Sequence, residues 1–393
     1  MKKRILIYIL CLLLPLLLSG CWNRRELDAI SVVEAIGIDK LENGQISLTY
    51  QILRPSGVKG SSTSGGKGGG GKSVWVVTAT GETVFDAIRN ATKQVDRRSY
   101  FAHNKVIVIG EESAKSGIAP LLDLANRDPE LRELVYVFIT KGKARDIIEA
   151  EHPQEKIPAK GIENLAKATR ASSKVPQVVL VDVLKNLVSK TNDPFIPGIE
   201  LTERKEDETV GKIVELHETA IFKDDKLVGW FSPEETRGLL WILGEVKSGI
   251  IVVSSPGDES KNVALEIIRA SSKVTPEMDE GKLTVTVEVK EEGNLAEQMS
   301  QVDLNKPDAF KQLEEKQAAV IEEEIRAAIN KAQKWGVDIF KFGEKYHRKF
   351  PAEWPELEEN WDEEFPNIEV NIVVDAKLRN MGITSKPIGG EGE

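Results

Sequence analysis

The hydrophobic pattern divides the chain into an apolar leader and two longer stretches in which strand-like and helix-like runs follow one another. Residues Ile5–Leu18 form an uncharged apolar run preceded by Lys2, Lys3 and Arg4 and closed by Ser19-Gly20-Cys21. That run is shorter than the ~20 residues a membrane-spanning helix needs, and its order of basic, apolar and small residues is that of a secretory signal. Beyond it, Ile30–Asp39 and Gln45–Leu53 read as strands joined by the turn-forming Glu42-Asn43-Gly44, a hairpin. Residues 56–73 are Ser, Gly and Lys, with Val58 the one apolar side chain before Val74, which predicts a flexible loop. Val74–Ala79 is a third strand, and Val84, Phe85, Ile88, Ala91 and Val95 recur at helical spacing. Lys105–Gly110 and Leu134–Thr140 read as strands, and Ile118–Ala125, Lys143–Glu149, Ala159–Ser172 and Val178–Ser189 as helices.

A polar segment, Lys205–Val210, predicts a boundary. After it Glu218–Phe222 and Lys226–Phe231 form a hairpin turned at Asp224-Asp225, and Ser232-Pro233-Glu234-Glu235 starts a helix reaching Leu243. Gly249–Ser254, Val263–Val274 and Lys282–Glu291 are strands. The longest helical pattern runs from Asn305 to Trp335, with Phe310, Leu313, Val320, Ile321, Ile325, Ala328, Ile329 and Ala332 on one side. At 1.5 Å per residue it would be ~40 Å long and cross a whole sheet. Trp354, Trp361 and Phe365 lead to a last strand, Ile368–Ala376. Strands in adjacent hairpins with helices in separate blocks predict a multi-domain α+β fold with mainly antiparallel or mixed sheets. The expected division is 1–20 as leader, 21–29 as a short polar segment, 30–204 as an N-terminal α+β domain and 205–386 as a C-terminal α+β region.

Composition sharpens this reading at two points. With 40% hydrophobic and 30% charged residues the chain is ordinary for a globular protein. Its charge is uneven, however: residues 21–200 hold 25 basic and 22 acidic groups, whereas residues 201–393 hold 25 and 41. An acidic half is repelled by anionic headgroups and by nucleic acid, which points it away from a membrane surface. The two cysteines are Cys11, inside the leader, and Cys21, directly after the small pair Ser19-Gly20. Cleavage between Gly20 and Cys21 would leave a mature chain without disulfides, resting on its core for stability. A thiol at that position can take a diacylglyceryl group, and the new amino terminus an acyl chain such as palmitate. Each buried methylene contributes ~0.8 kcal/mol, so one chain holds marginally and two hold firmly. Cys21 therefore predicts a lipoprotein held outside the cytoplasm at a membrane.

Other motifs fail on context. Gly66 to Ser73 matches the phosphate-loop pattern letter for letter, but a Ser/Gly segment precedes it and a strand follows, where a nucleotide site needs a helix start. His103, His152, His217 and His347 are far apart and without a metal-ligand spacing. The acid-rich stretch Glu353–Glu364 lacks the alternating ligands and glycine of a calcium loop. Arg-Ala-Ser-Ser-Lys-Val occurs at 170–175 and again at 269–274, once ending a helix and once in a strand. No nucleophile–base pattern is present. The expectation is a protein that is not an enzyme, with no cofactor, metal, nucleotide or nucleic acid.

Several segments resemble the Ger(x)C family of spore-germination lipoproteins. They are Gly20-Cys21-Trp22-Asn23-Arg24-Arg25-Glu26-Leu27-Asp28, Ala35-Ile36-Gly37-Ile38-Asp39, His103-Asn104-Lys105-Val106 with Gly110-Glu111, and Arg127-Asp128-Pro129-Glu130-Leu131-Arg132. In the second half they are Ala220-Ile221-Phe222, Lys226-Leu227-Val228-Gly229, Glu235-Thr236-Arg237-Gly238, and Asp338-Ile339-Phe340 with Phe342-Gly343. Lys341 stands where a glycine is expected, and the tract 60–72 reads as a variable insertion. The resemblance implies a non-enzymatic C subunit of a germinant receptor, acting with A and B subunits at the spore inner membrane in nutrient-triggered germination. The three α+β domains described for that family imply a further division near Pro256–Lys261. The rival expectation is a substrate-capturing lipoprotein that feeds a transporter, since both classes share the signal and the acylated cysteine.

Overall fold

The computed structural model describes residues 26–55, 72–206 and 209–380 and, of the leader, residues 3–5 and 8. Strands β1 (Ile30–Lys40) and β2 (Ile46–Leu53) form the expected hairpin, and β3 (Val74–Gly81) pairs with β2. Helix α1 (Val84–Asn90) is capped by Thr83, whose hydroxyl accepts from Asp86 N at 3.1 Å. The helical period extends to Val95, yet the α-helix stops at Asn90 and continues as a 3-10 turn. There Asn90 and Gln94 donate to the carbonyls of Thr80 and Thr78, which ties the helix end to β3 instead of continuing it. A short β4 (Arg98–Tyr100) then runs parallel to the start of β1.

The next elements build a parallel centre. Strand β5 (Val106–Gly110) leads through α2 (Glu111–Ser116) and α3 (Ala119–Arg127) to β6 (Tyr136–Thr140). Helices α4 (Ala144–Glu149), α5 (Pro158–Ala168) and α6 (Leu180–Leu187) then lead to β7 (Phe195–Glu206). The strands β1, β5, β6 and β7 are mutually parallel neighbours. Parallel strands need crossovers and are covered on both faces, and this is visible residue by residue in β5: Ile107 and Ile109 join one apolar cluster, Val106 and Val108 the other. Strands β8 (Thr209–Lys223) and β9 (Lys226–Phe231) add antiparallel pairs to the same sheet, whose order is β3-β2-β1-β5-β6-β7-β8-β9, with β4 beside β1. The sheet is thus mixed: antiparallel hairpins flank a parallel middle that adjacent hairpins alone would not produce. Of the polar segment, Lys205 stands opposite Val210 and Glu206 opposite Thr209 in the β7–β8 ladder.

Helix α7 (Pro233–Leu243) opens with a reciprocal capping box between Ser232 and Glu235 and closes on Gly244 at φ +72°. A second sheet follows, ordered β10 (Gly249–Ser255), β11 (Asp258–Asp279), β12 (Lys282–Gln298) and β13 (Glu369–Asn380). Its first three strands are antiparallel, and β13 is parallel to β12. That reversal is possible because α8 (Pro307–Trp335) carries the chain back across the sheet. Its buried face includes Leu313, Ile321, Ile325, Ala328, Ile329 and Ala332, as the period predicts, and also the polar Gln317 and Glu324. Short helices α9 (Phe342–Lys349), α10 (Trp354–Glu359) and α11 (Trp361–Glu364) pack an aromatic group before β13. Trp361 lies 5.6 Å from Trp354, 5.7 Å from Tyr346 and 6.3 Å from Phe365, ring centre to ring centre. Among the described residues no helix is long and apolar enough to cross a membrane.

Candidate functional site

Cys21, the residue to which the sequence assigns chemistry, lies outside the described residues, as do the Gly20–Cys21 junction, Trp22 and Gly66–Gly71 of the phosphate-loop match. Of that match Lys72 is ion-paired with Glu151 at 3.1 Å, and Ser73 leads straight into β3, so a strand and not a helix start follows it. The histidines serve separate local tasks. The His152 Nδ1 accepts from Gln154 N and Glu155 N at 3.3 and 3.2 Å. His347 stacks on Trp354 at 5.2 Å and 9°. Among the described residues no three His, Cys, Asp or Glu side chains converge to hold a metal. Within Glu353–Glu364, Glu358 pairs with Lys190 at 2.7 Å and Asp362 with Lys223. The two Arg-Ala-Ser-Ser-Lys-Val copies end as predicted, one after α5 and one within β11.

What the structure does bring together are the family-like segments of each half, and it shows why those residue types stand there. Gly37 on β1 is flush against α4: a β-carbon there would meet Ile148 Cγ1 at 2.7 Å. Two residues on, the Asp39 carboxylate accepts from Ala144 N at 2.8 Å and Arg145 N at 3.0 Å, satisfying donors that open α4. Burial raises the Asp39 pKa, and the two backbone donors pull it back. Lys105 pairs at 2.6 Å with Glu34, which is 4% exposed, and Lys105 N donates to Glu34 O, joining β5 to β1.

In the second half, Arg237 of α7 is the centre of a buried joint. Its Nε donates to Glu324 Oε2 at 2.9 Å, a second guanidinium nitrogen meets Glu324 Oε1, and Nη1 donates to the Ile250 carbonyl at 2.9 Å. Trp241 Nε1 donates to the same Glu324 at 3.0 Å. One ion pair thus fastens α7, α8 and β10 together, in the two-pronged geometry that suits Arg and not Lys. Glu324 is absent from the sequence-predicted residues. Its signal was an acid in α8 whose neighbours three and four residues away, Val320, Ile321, Ala327 and Ala328, are all apolar.

The segment after α8 is a second knot. Asp338 is 1% exposed and accepts from Phe340 N, Phe342 N, Gly343 N and Trp361 Nε1 at 3.2, 3.1, 2.8 and 3.2 Å. Burial pushes its carboxyl up to about 7 against those donors. Asp193, between α6 and β7, accepts from Asp338 N at 2.9 Å and Asp224 N at 2.8 Å. The position where a glycine is expected, Lys341, has φ +62°, a left-handed backbone that favours glycine.

These arrangements hold elements in place; among the described residues none sets a nucleophile against a base. Residues 23–201 match the family described as "Spore germination protein N-terminal domain" and residues 217–382 match "Spore germination B3/ GerAC like, C-terminal". Spore germination protein KC of Bacillus subtilis (strain 168) is 29% identical over 402 residues, covering 99% of this chain and 98% of its own. Spore germination protein GerQC of Bacillus cereus is 23% identical, covering 96% and 99%. The crystal structure of the GerBC protein aligns with a TM-score of 0.56 at 20% identity, over 88% of this chain and 97% of that one, which shows a common fold. Sequence motifs, matched regions and architecture agree along nearly the whole chain, and the protein is a member of the Ger(x)C family of spore germination proteins.

Proposed function

We propose that this protein is the lipid-anchored C subunit of a germinant receptor, working with A and B subunits at the spore inner membrane in nutrient-triggered germination. The observation that carries this reading is the end-to-end likeness to spore germination proteins, which includes the matched regions on both sides of the chain. The lipid on Cys21 confines the protein to a surface and raises its effective concentration around membrane companions. Its role is non-enzymatic: the residues the two halves share with the family position strands and helices. Replacing Cys21 by Ala is expected to release the protein from membranes and impair the response to nutrients. Normal retention together with normal germination in that variant would remove the anchor from the account.

The rival role, capturing a substrate for a transporter, draws support from the parallel middle of the first sheet, a feature of two-lobed binding proteins. The second sheet departs from it, being built on three antiparallel strands. Saturable thermal stabilisation of the protein by one amino acid or sugar would favour the rival.

A further inference from the structure

The chain enters the fold at one end of the first sheet. Ile30, the first residue of β1, is in register with Arg98 of β4. Glu26, where the described part of the fold begins, is five residue steps from Cys21, and five steps span at most about 18 Å. A lipid on Cys21 therefore keeps this end within roughly that distance of the headgroups. Beside Arg98 lies an open depression of about 490 Å³ between α1, β4 and the segment after α3. Its floor is apolar, with Ile88, Val95 and Phe101. Phe85 stands at its edge, 45% exposed, with the Arg89 guanidinium 4.8 Å from the ring centre. Around it are three guanidinium groups, Arg89, Arg97 and Arg98, and three carboxylates, Asp96, Asp128 and Glu130. Arg98 is taken up by Glu130, and Asp128 accepts from Glu130 N. Arg97 is exposed and makes no ion pair among the described residues.

We infer that this depression is the membrane-apposed face of the protein and seats a zwitterionic phosphoethanolamine-type lipid headgroup, an inference that rests on the anchor reading above. The rim decides the chemistry. A guanidinium such as Arg97 recognises a phosphodiester, and Asp96 beside it suits an ammonium. A balanced rim gives no particular attraction to a purely anionic surface, unlike a polybasic patch. Phe85 with its stacked arginine presents an apolar body and a charged tip, the side-chain type that settles at the boundary between acyl chains and headgroups. The strongly acidic second half then lies further out, where like-charge repulsion from the bilayer is smallest.

The test uses the full lipidated chain on vesicles of phosphatidylcholine with phosphatidylethanolamine, and a nitroxide-bearing lipid as quencher. Cys11 leaves with the leader and the Cys21 thiol is acylated, so one introduced cysteine takes a fluorophore uniquely. Thr92→Cys places it at the depression, and Val373→Cys on the outer side of the second sheet, 53% exposed, is the control. Strong quenching at 92 with little at 373 is expected, falling several-fold with Arg97→Glu and with phosphatidylglycerol in place of phosphatidylethanolamine. Circular dichroism checks that the variant is folded. Intact mass and vesicle flotation, read in parallel, separate the two readings. No quenching at 92 in a protein that floats and carries the lipid overturns the face and leaves the anchor standing. If Cys21 is unmodified, the measurement is repeated at saturating vesicles on a chain that also carries Cys11→Ser and Cys21→Ser, so that residue 92 is again the one labelled thiol: quenching at 92 keeps the face, none removes it. Quenching or protection at 92 that arises only with the A and B subunits present would make this a protein-docking surface and overturn the lipid assignment.

Discussion

Gly238 of α7 lies against the carbonyl oxygen of Glu324 on α8, so close that a β-carbon would stand 2.0 Å from it. The residue before it, Arg237, holds the carboxylate of the same Glu324. Close approach of two helix backbones and a buried ion pair are thus one feature seen from two sides: the helices must touch for the guanidinium to reach.

Gly238→Ala is expected to cost at least about 3 kcal/mol, above the usual range for an added methyl, because the obstruction is backbone that no rotamer change relieves. Chemical denaturation of the purified protein measures it. A loss below about 1 kcal/mol would mean the helices can part without penalty.

Arg237→Ala or Glu324→Gln each leaves an uncompensated group in a site whose partners are 4% and 7% exposed, with an expected loss of about 3–5 kcal/mol. Replacing the pair together, as Arg237→Met with Glu324→Leu, should recover most of that, since the ions' desolvation is removed with them. A double-mutant cycle with near-additive losses would show that the pair does not act as a unit.

Glu291 of β12 is 1% exposed, and among the described residues no group meets its carboxyl oxygens in full hydrogen-bond geometry. Burial pushes its pKa from 4.5 to about 8, with the Gln317 side chain pulling the other way. The folded state keeps a proton that the unfolded chain releases, so stability should fall as pH rises from about 4.5 to about 8. The slope is on the order of 1 kcal/mol per pH unit. Glu291→Gln should flatten that stretch of the pH–stability curve; an unchanged slope would assign the dependence to other groups.

Lys341→Gly is expected to raise stability by up to about 1 kcal/mol, the left-handed cost at φ +62° exceeding glycine's extra chain entropy. Thermal midpoints of the two proteins compare this directly, and a lower midpoint for the glycine variant would contradict it.

The alternating and periodic segments carried the fold a long way. The β1–β2 hairpin, the capped start of α7 and the length of α8 follow from local rules: side chains alternate along a strand, repeat every 3.6 residues on a helix, and Ser-Pro-Glu-Glu satisfies helix-opening donors. The glycine expected at Lys341 came from the family resemblance, and the left-handed backbone found there gives its physical reason. The parallel pairing of β1, β5, β6 and β7 was less so, because runs such as Val106-Ile107-Val108-Ile109 state that a strand is buried on both faces and not which strand lies beside it.

By itself the sequence determined most of the element types and the family, and the proposed leader and Cys21 anchor rest on it alone. Each is written in neighbouring residues, and local chemistry needs nothing else. Tertiary structure alone decided that Glu324 meets Arg237, that Asp193 and Asp338 share one knot across the two halves, and that Arg98 lies beside Ile30, where β1 begins. Those pairs are 87 and 145 residues apart in the first two cases, and only the packing of helices on sheets fixes which distant groups become neighbours.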